Sequence, residues 1–413
     1  MRAAVAAMRT PARRSLRWLA LALLAIAGAA AADPVVLPPS QTGLSSTADR
    51  MISYRHQSHM WQTADRAMHV MVNTGTQATG AGLRLYTSIN GGTSWIAGVA
   101  LAASDANSTS DGFLDGDLLY LVHSTPTRSV VFTVLQYSPQ AHAWSLIGAE
   151  TAFASDTLQA INPALASDGL GRLWLGFIGR AIATGNYSVR LLRNASAEEG
   201  WVDTGFAFGA QDNLSIERSA RPIATATGVG MVYTVHEKIF WAARENPWPL
   251  DAAWDEQLLF TSEAGDQDPY ASHFSIVADA RHNLHMATVD GGRLLYLRYR
   301  IATGAWDQQW VTGDIDAGYP QVTLVPGSLV LTVNNGTQAS VYQSRNGGNS
   351  FTETHRLVHG VAGAGISYAN PRIETAERVL GPMLALQQFV VNGTQRLLLY
   401  RVPVIQSASD WTE

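Results

Sequence analysis

Hydrophobic and polar residues alternate with period two in short runs along most of the chain. Such alternation predicts β-strands, because successive side chains of a strand point to opposite faces. The clearest runs lie within residues 273–312 and read HFSIVAD, NLHMATV, RLLYLRYR and WDQQWVT. Long stretches with the helical period are absent after the N-terminal segment. The pattern therefore predicts an all-β protein built from short strands.

The runs form a repeat of about fifty residues, and a large aromatic residue marks each unit. These aromatics are Trp95, Trp144, Trp201, Trp254, Trp306 and Phe351. Four strands in a unit of this length predict a β-propeller. A seventh unit lacks a fourth strand, and we expect the N-terminal segment Pro34–Leu37 to supply it, since pairing the chain ends removes an exposed edge. We predict a seven-bladed β-propeller of four-stranded blades, with six blades as the alternative.

The first 32 residues have the pattern of an export signal. A basic start is followed by the apolar run Trp18–Ala27 and by the small residues Ala30–Ala32. The apolar run is too short to span a membrane. We expect residues 1–32 to be a signal peptide and residues 33–413 to be a single propeller domain. The mature protein should be a secreted or periplasmic monomer.

Composition limits the possible partners. The chain has no cysteine, a formal net charge of −5 and one lysine, Lys238. An acidic chain without a basic stretch in its mature part is not expected to bind nucleic acid or an anionic membrane. Its other cations are arginines, whose planar guanidinium groups pair well with carboxylates. A few converging arginines could therefore hold an anionic ligand.

An eight-residue pattern occurs twice, at Ser88–Trp95 and Ser344–Phe351. Both copies read Ser-x-Asn-Gly-Gly-x-Ser followed by an aromatic residue. The Asn-Gly step predicts a type I′ hairpin turn, in which both central residues have positive φ. The pattern resembles the Asp-box, or BNR repeat, of sialidases and their relatives, with asparagine at the usual aspartate position. The resemblance implies a propeller whose boxes lie away from the ligand face.

The resemblance also implies a carbohydrate-active site where the innermost strands begin. Sialidases bind a substrate carboxylate with three arginines and use a tyrosine nucleophile that a glutamate polarises. The matching positions are Arg55, Arg221 and Arg372 for the arginines, Tyr319 for the nucleophile and Glu217 for the glutamate. Further substrate-binding candidates at strand starts and loops are Tyr270 and Glu237. The expected ligand is an acidic glycan.

Two other functions stay open, because the loop Asn73–Gly80, where sialidases carry their acid/base aspartate, contains no carboxylate. Glycoside hydrolysis normally needs a carboxyl group that protonates the leaving oxygen. The first alternative is a polysaccharide lyase, in which histidine or tyrosine moves protons while arginine neutralises a uronate. Its candidates are His56, His59, His123 and His273 with Tyr270 or Tyr319. The second alternative is a non-catalytic propeller that binds a glycan or a protein.

The segment Asp105–Asp117 concentrates oxygen ligands in a glycine-containing stretch, as Ca²⁺ prefers. Asp111, Asp115 and Asp117 are therefore candidate calcium ligands, although their spacing is not that of an EF-hand. The chain has no phosphate-binding loop and no metalloprotease histidine pair. We expect no required cofactor and no metal at the glycan site.

Overall fold

Thirty β-strands form the regular structure of this computed structural model, which describes residues 33–75, 82–194, 199–208, 219–245, 254–265, 273–335, 338–359, 365–368 and 372–404. These ranges contain no α-helix, and hence none that is long and apolar enough to cross a membrane. The strands form seven sheets, which are the seven blades of a propeller. The predicted seven-bladed, all-β fold is confirmed.

The blades follow one another along the chain. The first two strands, β1 (Val35–Leu37) and β2 (Ser40–Ser46), join late blades. Blade 1 contains β3 (Met60–Gln62), β4 (Met68–Asn73), β5 (Leu83–Ser88) and β6 (Ile96–Ala100). Blade 2 contains β7 (Ser110–Asp115), β8 (Leu118–Ser124), β9 (Val130–Ser138) and β10 (Ala143–Phe153). Blade 3 contains β11 (Leu158–Ser167), β12 (Leu173–Ala181), β13 (Tyr187–Asn194) and β14 (Trp201–Phe208).

The remaining blades repeat this order. Blade 4 contains β15 (Ala220–Ala224), β16 (Gly228–Val235), β17 (Lys238–Glu245) and β18 (Asp255–Thr261). Blade 5 contains β19 (Ser275–Ala278), β20 (Leu284–Asp290), β21 (Arg293–Arg300) and β22 (Ala305–Trp310). Blade 6 contains β23 (Ala317–Val325), β24 (Ser328–Asn335), β25 (Gln338–Ser344) and β26 (Thr352–Val358). Blade 7 contains β27 (Ile366–Ser367), β28 (Ile373–Thr375), β29 (Met383–Val391) and β30 (Thr394–Val402).

The N-terminal strand β2 closes the ring as the outermost strand of blade 7, antiparallel to β30. The sequence analysis assigned this role to Pro34–Leu37, which was wrong by a few residues. Val35–Leu37 instead forms β1, a parallel fifth strand at the edge of blade 6. The reason is the side-chain pattern: β2 alternates between buried and exposed positions, as a half-buried strand requires, whereas Val35 and Val36 are more than half exposed.

The hydrophobic core lies between neighbouring blades rather than inside one of them. One cluster joins blades 4 and 5 through Trp241, Phe274 and Leu284, all at most 5% exposed. The second strand of a blade is buried on both faces, as in β16 and β20, while an outermost strand such as β10 is mostly exposed. Burial between sheets explains why the central strands read as nearly continuous apolar runs.

Both eight-residue boxes form hairpin turns held by the same hydrogen bonds. In the first box, Ser88 Oγ accepts from Gly92 N at 2.8 Å, and Asn90 Oδ1 accepts from Ser94 N at 3.0 Å. The second box repeats these bonds with Ser344, Gly348, Asn346 and Ser350. The positive φ angles fall on the two glycines of each box, not on the asparagine. The asparagine side chain therefore ties the turn together, and the glycines supply the left-handed backbone.

Each box contacts an arginine on the third strand of the preceding blade. Arg401 of β30 donates to Gly91 O at 3.0 Å and to Thr93 Oγ1 at 2.8 Å. Arg298 of β21 donates to Gly347 O and, at 3.0 Å, to Asn349 Oδ1. The boxes thus join adjacent blades, which is a structural role.

We expect Gly348→Ala to lower the free energy of unfolding by about 3 kcal/mol, because an overpacked core adds to backbone strain. Gly348 has a φ of +80°, and an added Cβ would lie 2.2 Å from the Tyr296 hydroxyl oxygen. Gly347→Ala is the matched control, since its φ is +69° but open space surrounds the position. It should cost only about 1 kcal/mol. Urea unfolding measures the free energy of unfolding of both variants. Equal decreases in the two variants would contradict the packing argument.

Residues Met51–Met60, called the central segment below, fill the middle of the ring. Every one of them is buried. The segment hydrogen-bonds to blades 2, 3, 4 and 7 through Asp111, Pro163, Arg221 and Gln388. It therefore brings its own polar side chains to the axis, where the innermost strands of the blades meet.

Candidate functional site

The ring has two distinct ends. Because each blade has four antiparallel strands, the innermost strands of successive blades all run in the same direction. Their first residues lie at one end of the axis, the strand-start face, and their last residues lie at the other, the strand-end face. Each face carries a pocket.

The larger pocket, of about 570 Å³, opens on the strand-start face and is called the strand-start pocket. Its volume is within the range of small-molecule binding sites. The charged residues on its wall are Arg50, Arg128, Arg372 and Asp49. Three cations against one carboxylate suit an anionic ligand.

Arg372 is a buried cation at the base of this pocket. Its Nη1 donates to Ser53 O at 2.7 Å, and its side chain has no carboxylate partner among the residues that the structure describes. Burial, with help from the neighbouring Arg55 and Arg50, lowers the pKa of Arg372 to about 10. The side chain remains charged at neutral pH. A buried charge without a protein counter-ion is expected where a charged ligand binds.

Two tyrosines lie against the Arg372 guanidinium, and a histidine packs against both of their rings. Its Cζ lies 5.6 Å from the ring centre of Tyr54 and 5.7 Å from that of Tyr319. The His273 ring packs edge-on against Tyr319, with 4.5 Å between centres, and parallel to Tyr54. Arg50 Nη1 donates to the Tyr54 hydroxyl. The structure therefore brings together Arg372, Tyr319 and His273, which the sequence analysis named, and adds Tyr54 and Arg50.

Tyr319 has an unusual backbone conformation. Its φ is +53°, and it lies in the irregular part of β23 between Gly318 and Gln321. A bulky residue in the left-handed region is strained, and such strain is concentrated at functional sites. The ring is half-buried. The ring at this irregularity contacts Arg372 and His273, and a negative charge on its phenol oxygen would favour the cationic forms of Arg55 and Arg372.

Arg55 is adjacent to this cluster but already has a counter-ion. Its Nη1 donates to Glu374 Oε2 at 2.9 Å, and both side chains are almost completely buried. Glu374 Oε1 also accepts from His59 N at 3.0 Å. Burial alone would raise the pKa of Glu374, but His59 and Arg55 outweigh it and hold that pKa below its ordinary value. Arg55 Nη2 and Arg372 Nη1 both donate to Ser53 O, so one backbone carbonyl binds both guanidinium groups.

Arg221 belongs to a different ion-pair group. It donates to Glu377 Oε1 at 2.6 Å and lies 3.4 Å from Asp111 Oδ1. Burial would lower the pKa of Arg221, but Asp111 and Glu377 outweigh it and raise that pKa. Arg221 and Glu377 line a smaller pocket of about 180 Å³ on the strand-end face. The three arginines that the sequence analysis grouped therefore do not share one open pocket.

Two of the four predicted histidines, His56 and His123, are buried in packed surroundings, unlike His273, which contacts Tyr319. His56 is fully buried between Tyr54 and Phe274, and its pKa lies well below the ordinary value because of burial and the Arg221 charge. His123 is buried in β8, where its Nε2 lies 2.9 Å from Ala102 O, and burial lowers its pKa. Both rings are uncharged at neutral pH, which fits packing roles.

The other predicted residues are elsewhere or outside the description. Glu237 lies on the turn between β16 and β17, with Oε1 3.9 Å from Lys238 Nζ. Glu217 and Tyr270 lie outside the described residues. The calcium candidates diverge, because Asp111 binds Ser58 N and Leu165 N near the axis, whereas Asp115 and Asp117 flank the hairpin turn at the far end of β7. The described residues contain no cluster suited to a metal ion.

Arg50, Tyr54 and Arg128 are pocket residues that the sequence analysis missed. Arg50 and Tyr54 stand beside the first arginine candidate, so a broader window around Arg55 would have included them. Arg128 gave no signal, because an arginine in a short polar turn is ordinary surface composition. Only the ring closure brings this turn to the same pocket as Arg372.

Comparison with known proteins indicates the fold. No protein-family model matches the chain, and no curated protein matches its sequence. A structure described provisionally as a 6-phosphogluconolactonase from Bacteroides fragilis has a TM-score of 0.51, with 11% identity over 80% of this chain and 92% of that one. An ulvan lyase of family PL25 bound to a glucuronate–sulfated rhamnose unit has a TM-score of 0.50, with 11% identity over 88% and 96%. The structure of the polysaccharide lyase Uly1 has a TM-score of 0.49, with 9% identity over 84% of this chain and 90% of that one. The chain is thus similar in fold to carbohydrate-active β-propellers.

Proposed function

We propose that this protein is a carbohydrate-active propeller that binds an acidic glycan in the strand-start pocket and cleaves it by β-elimination. The observation that carries the proposal is Arg372, a buried cation without a carboxylate partner in the described structure, placed between Tyr54 and Tyr319. An Arg–carboxylate pair would hold a uronate there. A location outside the cytoplasm, proposed from the N-terminal pattern, would give access to polysaccharides.

The chemistry follows from these groups. Arg372 would neutralise the uronate carboxylate and stabilise the negative charge that develops when the adjacent carbon loses its proton. Tyr319 would accept that proton as its phenolate, whose negative charge Arg55 and Arg372 would stabilise. The electron pair then forms a double bond to the next carbon. The glycosidic C–O bond breaks, and the leaving oxygen takes the proton from the Tyr319 hydroxyl, which restores the phenolate.

Hydrolysis has less support from the same residues. Glycosidases use two carboxyl groups, one as acid and one as nucleophile or base. Glu374 is bound to Arg55 and His59, while Asp111 and Glu377 are bound to Arg221. None of these three carboxylates lines the strand-start pocket. The carboxylate on its wall is that of Asp49. The PL25 lyase, which has a similar fold and acts on a uronate-containing glycan, also supports elimination over hydrolysis.

The products of the wild-type protein test this function. Incubation with oligogalacturonate, alginate or chondroitin should give the ultraviolet absorbance of a conjugated, unsaturated uronate. New reducing ends without that absorbance would indicate a hydrolase instead. Binding without any cleavage would indicate a non-catalytic propeller, and both results would contradict the proposal.

Arg372→Met should weaken binding of the acidic glycan that the wild type binds best by at least about thirtyfold, since a desolvated charge pair is lost. The thermal midpoint should not fall, because the buried guanidinium is held in the fold against its preference for water. Calorimetric titration and a thermal scan measure the two effects. Arg345→Met, at an exposed arginine of the second box, is the control. Unchanged affinity in Arg372→Met would contradict the assigned role.

A further inference from the structure

Arg128 lies on the wall of the strand-start pocket formed by blades 2 and 3. It belongs to the turn between β8 and β9, and Asn107 and Thr109 line the same part of the pocket. Arg372 and Arg50 line the part next to the central segment and blade 7. The pocket therefore holds cations in two places, contributed by different blades.

Hydrogen bonds hold the backbone of the Arg128 turn in place. Arg128 N donates to Thr125 O at 2.9 Å, and Arg128 O accepts from Ala160 N of blade 3 at 2.8 Å. Ser129 N donates to Thr125 Oγ1 at 3.1 Å. These bonds anchor the turn to the neighbouring blade. A fixed backbone reduces the entropy lost when the side chain binds a ligand.

The Arg128 guanidinium has no hydrogen-bond or ion-pair partner in the described part of the chain, although the protein is acidic overall. Most other arginines near the axis are neutralised, as Arg55 is by Glu374 and Arg221 is by Glu377. The cations that perturb Arg372 are Arg55 and Arg50, on its own side of the pocket. Arg128 is thus a separate positive centre and not a fourth member of the Arg372 cluster.

We infer that Arg128 selects a second anionic group, on a sugar adjacent to the uronate that Arg372 binds. This inference rests on the proposed function and specifies its substrate class: a glycan with anionic groups on neighbouring units. The second group is a carboxylate or a sulfate ester, because guanidinium pairs in a fork with either. The pocket volume of about 570 Å³ accommodates more than one sugar ring.

Binding of matched oligosaccharides tests the inference. Unsulfated chondroitin alternates a uronate with a neutral sugar, sulfated chondroitin adds a sulfate to that neutral sugar, and oligogalacturonate has a carboxylate on every unit. The wild type should bind at least one of the two denser glycans about ten- to a hundredfold more tightly than unsulfated chondroitin. Tighter binding of the sulfated form identifies a sulfate as the second group, and tighter binding of oligogalacturonate identifies a carboxylate.

Arg128→Gln should remove this preference and leave the affinity for unsulfated chondroitin within about twofold. Arg128→Lys should keep part of the preference, which also shows that the turn still folds. Arg66→Gln is the matched control, because Arg66 is an exposed turn arginine with a similar positive φ, on the strand-end face. It should change nothing.

Two results would overturn the inference alone, provided that Arg372→Met still weakens binding by at least about thirtyfold. One is an unchanged preference in Arg128→Gln, and the other is an equal loss of affinity for all three glycans in that variant. Failure of the wild type to bind any of the three glycans would overturn the proposed function together with the inference. Wild-type binding without any preference would overturn only the inference.

Discussion

Tyr319→Phe is expected to lower the turnover of an acidic glycan by about 10²–10⁴-fold, the usual contribution of a positioned proton-transfer group. Binding should change by less than about threefold, since the ring remains against His273 and Arg372. The loss should therefore appear in kcat and not in KM. Initial rates from the absorbance of the unsaturated product, with affinity from calorimetry, separate the two effects.

Tyr187→Phe is the matched control for this experiment. Tyr187 is also a partly buried tyrosine with an arginine over its ring, since Arg180 Cζ lies 5.9 Å from the ring centre, but it lies on β13 of blade 3. Loss of the Tyr187 hydroxyl should leave turnover of the glycan unchanged. If Tyr319→Phe retained full turnover, Tyr319 could not be the proton acceptor.

Glu374→Gln is expected to lower the free energy of unfolding by about 3–5 kcal/mol, the usual result of removing one partner of a buried ion pair. The amide preserves the shape of the side chain but removes its charge. Arg55 would then be a buried cation without a counter-ion, beside the already unneutralised Arg372. Urea unfolding followed by circular dichroism measures the loss.

The double variant Arg55→Met/Glu374→Gln should recover most of that loss, because removing both charges removes the desolvation of each. Glu353→Gln serves as the surface control: its partly exposed pair with Arg356, at 2.9 Å, should contribute less than about 1 kcal/mol. A double variant as unstable as the single one would show that packing, and not charge, explains the effect.

The same ion pair predicts a sensitivity to acid. The pKa of Glu374 is held below its ordinary value in the folded protein, so its ionised form stabilises the fold above the unfolded pKa. That contribution is lost as the pH falls through the folded pKa. Stability of the wild type should therefore decrease more steeply on acidification than stability of the double variant.

The strands were predictable because local sequence determines them. The runs at residues 283–289 and 293–300 correspond closely to β20 and β21, since period-two alternation needs only neighbouring residues. The box pattern likewise predicted hairpin turns, although its glycines and not its asparagine have the positive φ. The closing strand was placed a few residues too early. Two short N-terminal strands follow each other, and the first pairs with the edge of blade 6 while the second pairs with the edge of blade 7.

The state of each arginine was not predictable in this way. Arg55 and Glu374 form their ion pair across 319 positions of sequence, and Arg221 meets Glu377 across 156. Nothing near either arginine in the sequence indicates a counter-ion. The sequence analysis therefore grouped Arg55, Arg221 and Arg372 by position, whereas only Arg372 of the three lines the strand-start pocket.

By itself, the sequence determined the all-β class, the repeat of about fifty residues and the seven blades, because strand periodicity and turn chemistry are local properties. It also placed Arg372 and Tyr319 at strand starts, which share one face of any propeller. Tertiary structure alone decided which charges are neutralised and which line a pocket, because electrostatic energy depends on distance and burial in space. The unneutralised Arg372 between two tyrosines, with Arg128 across the pocket, is a product of ring closure.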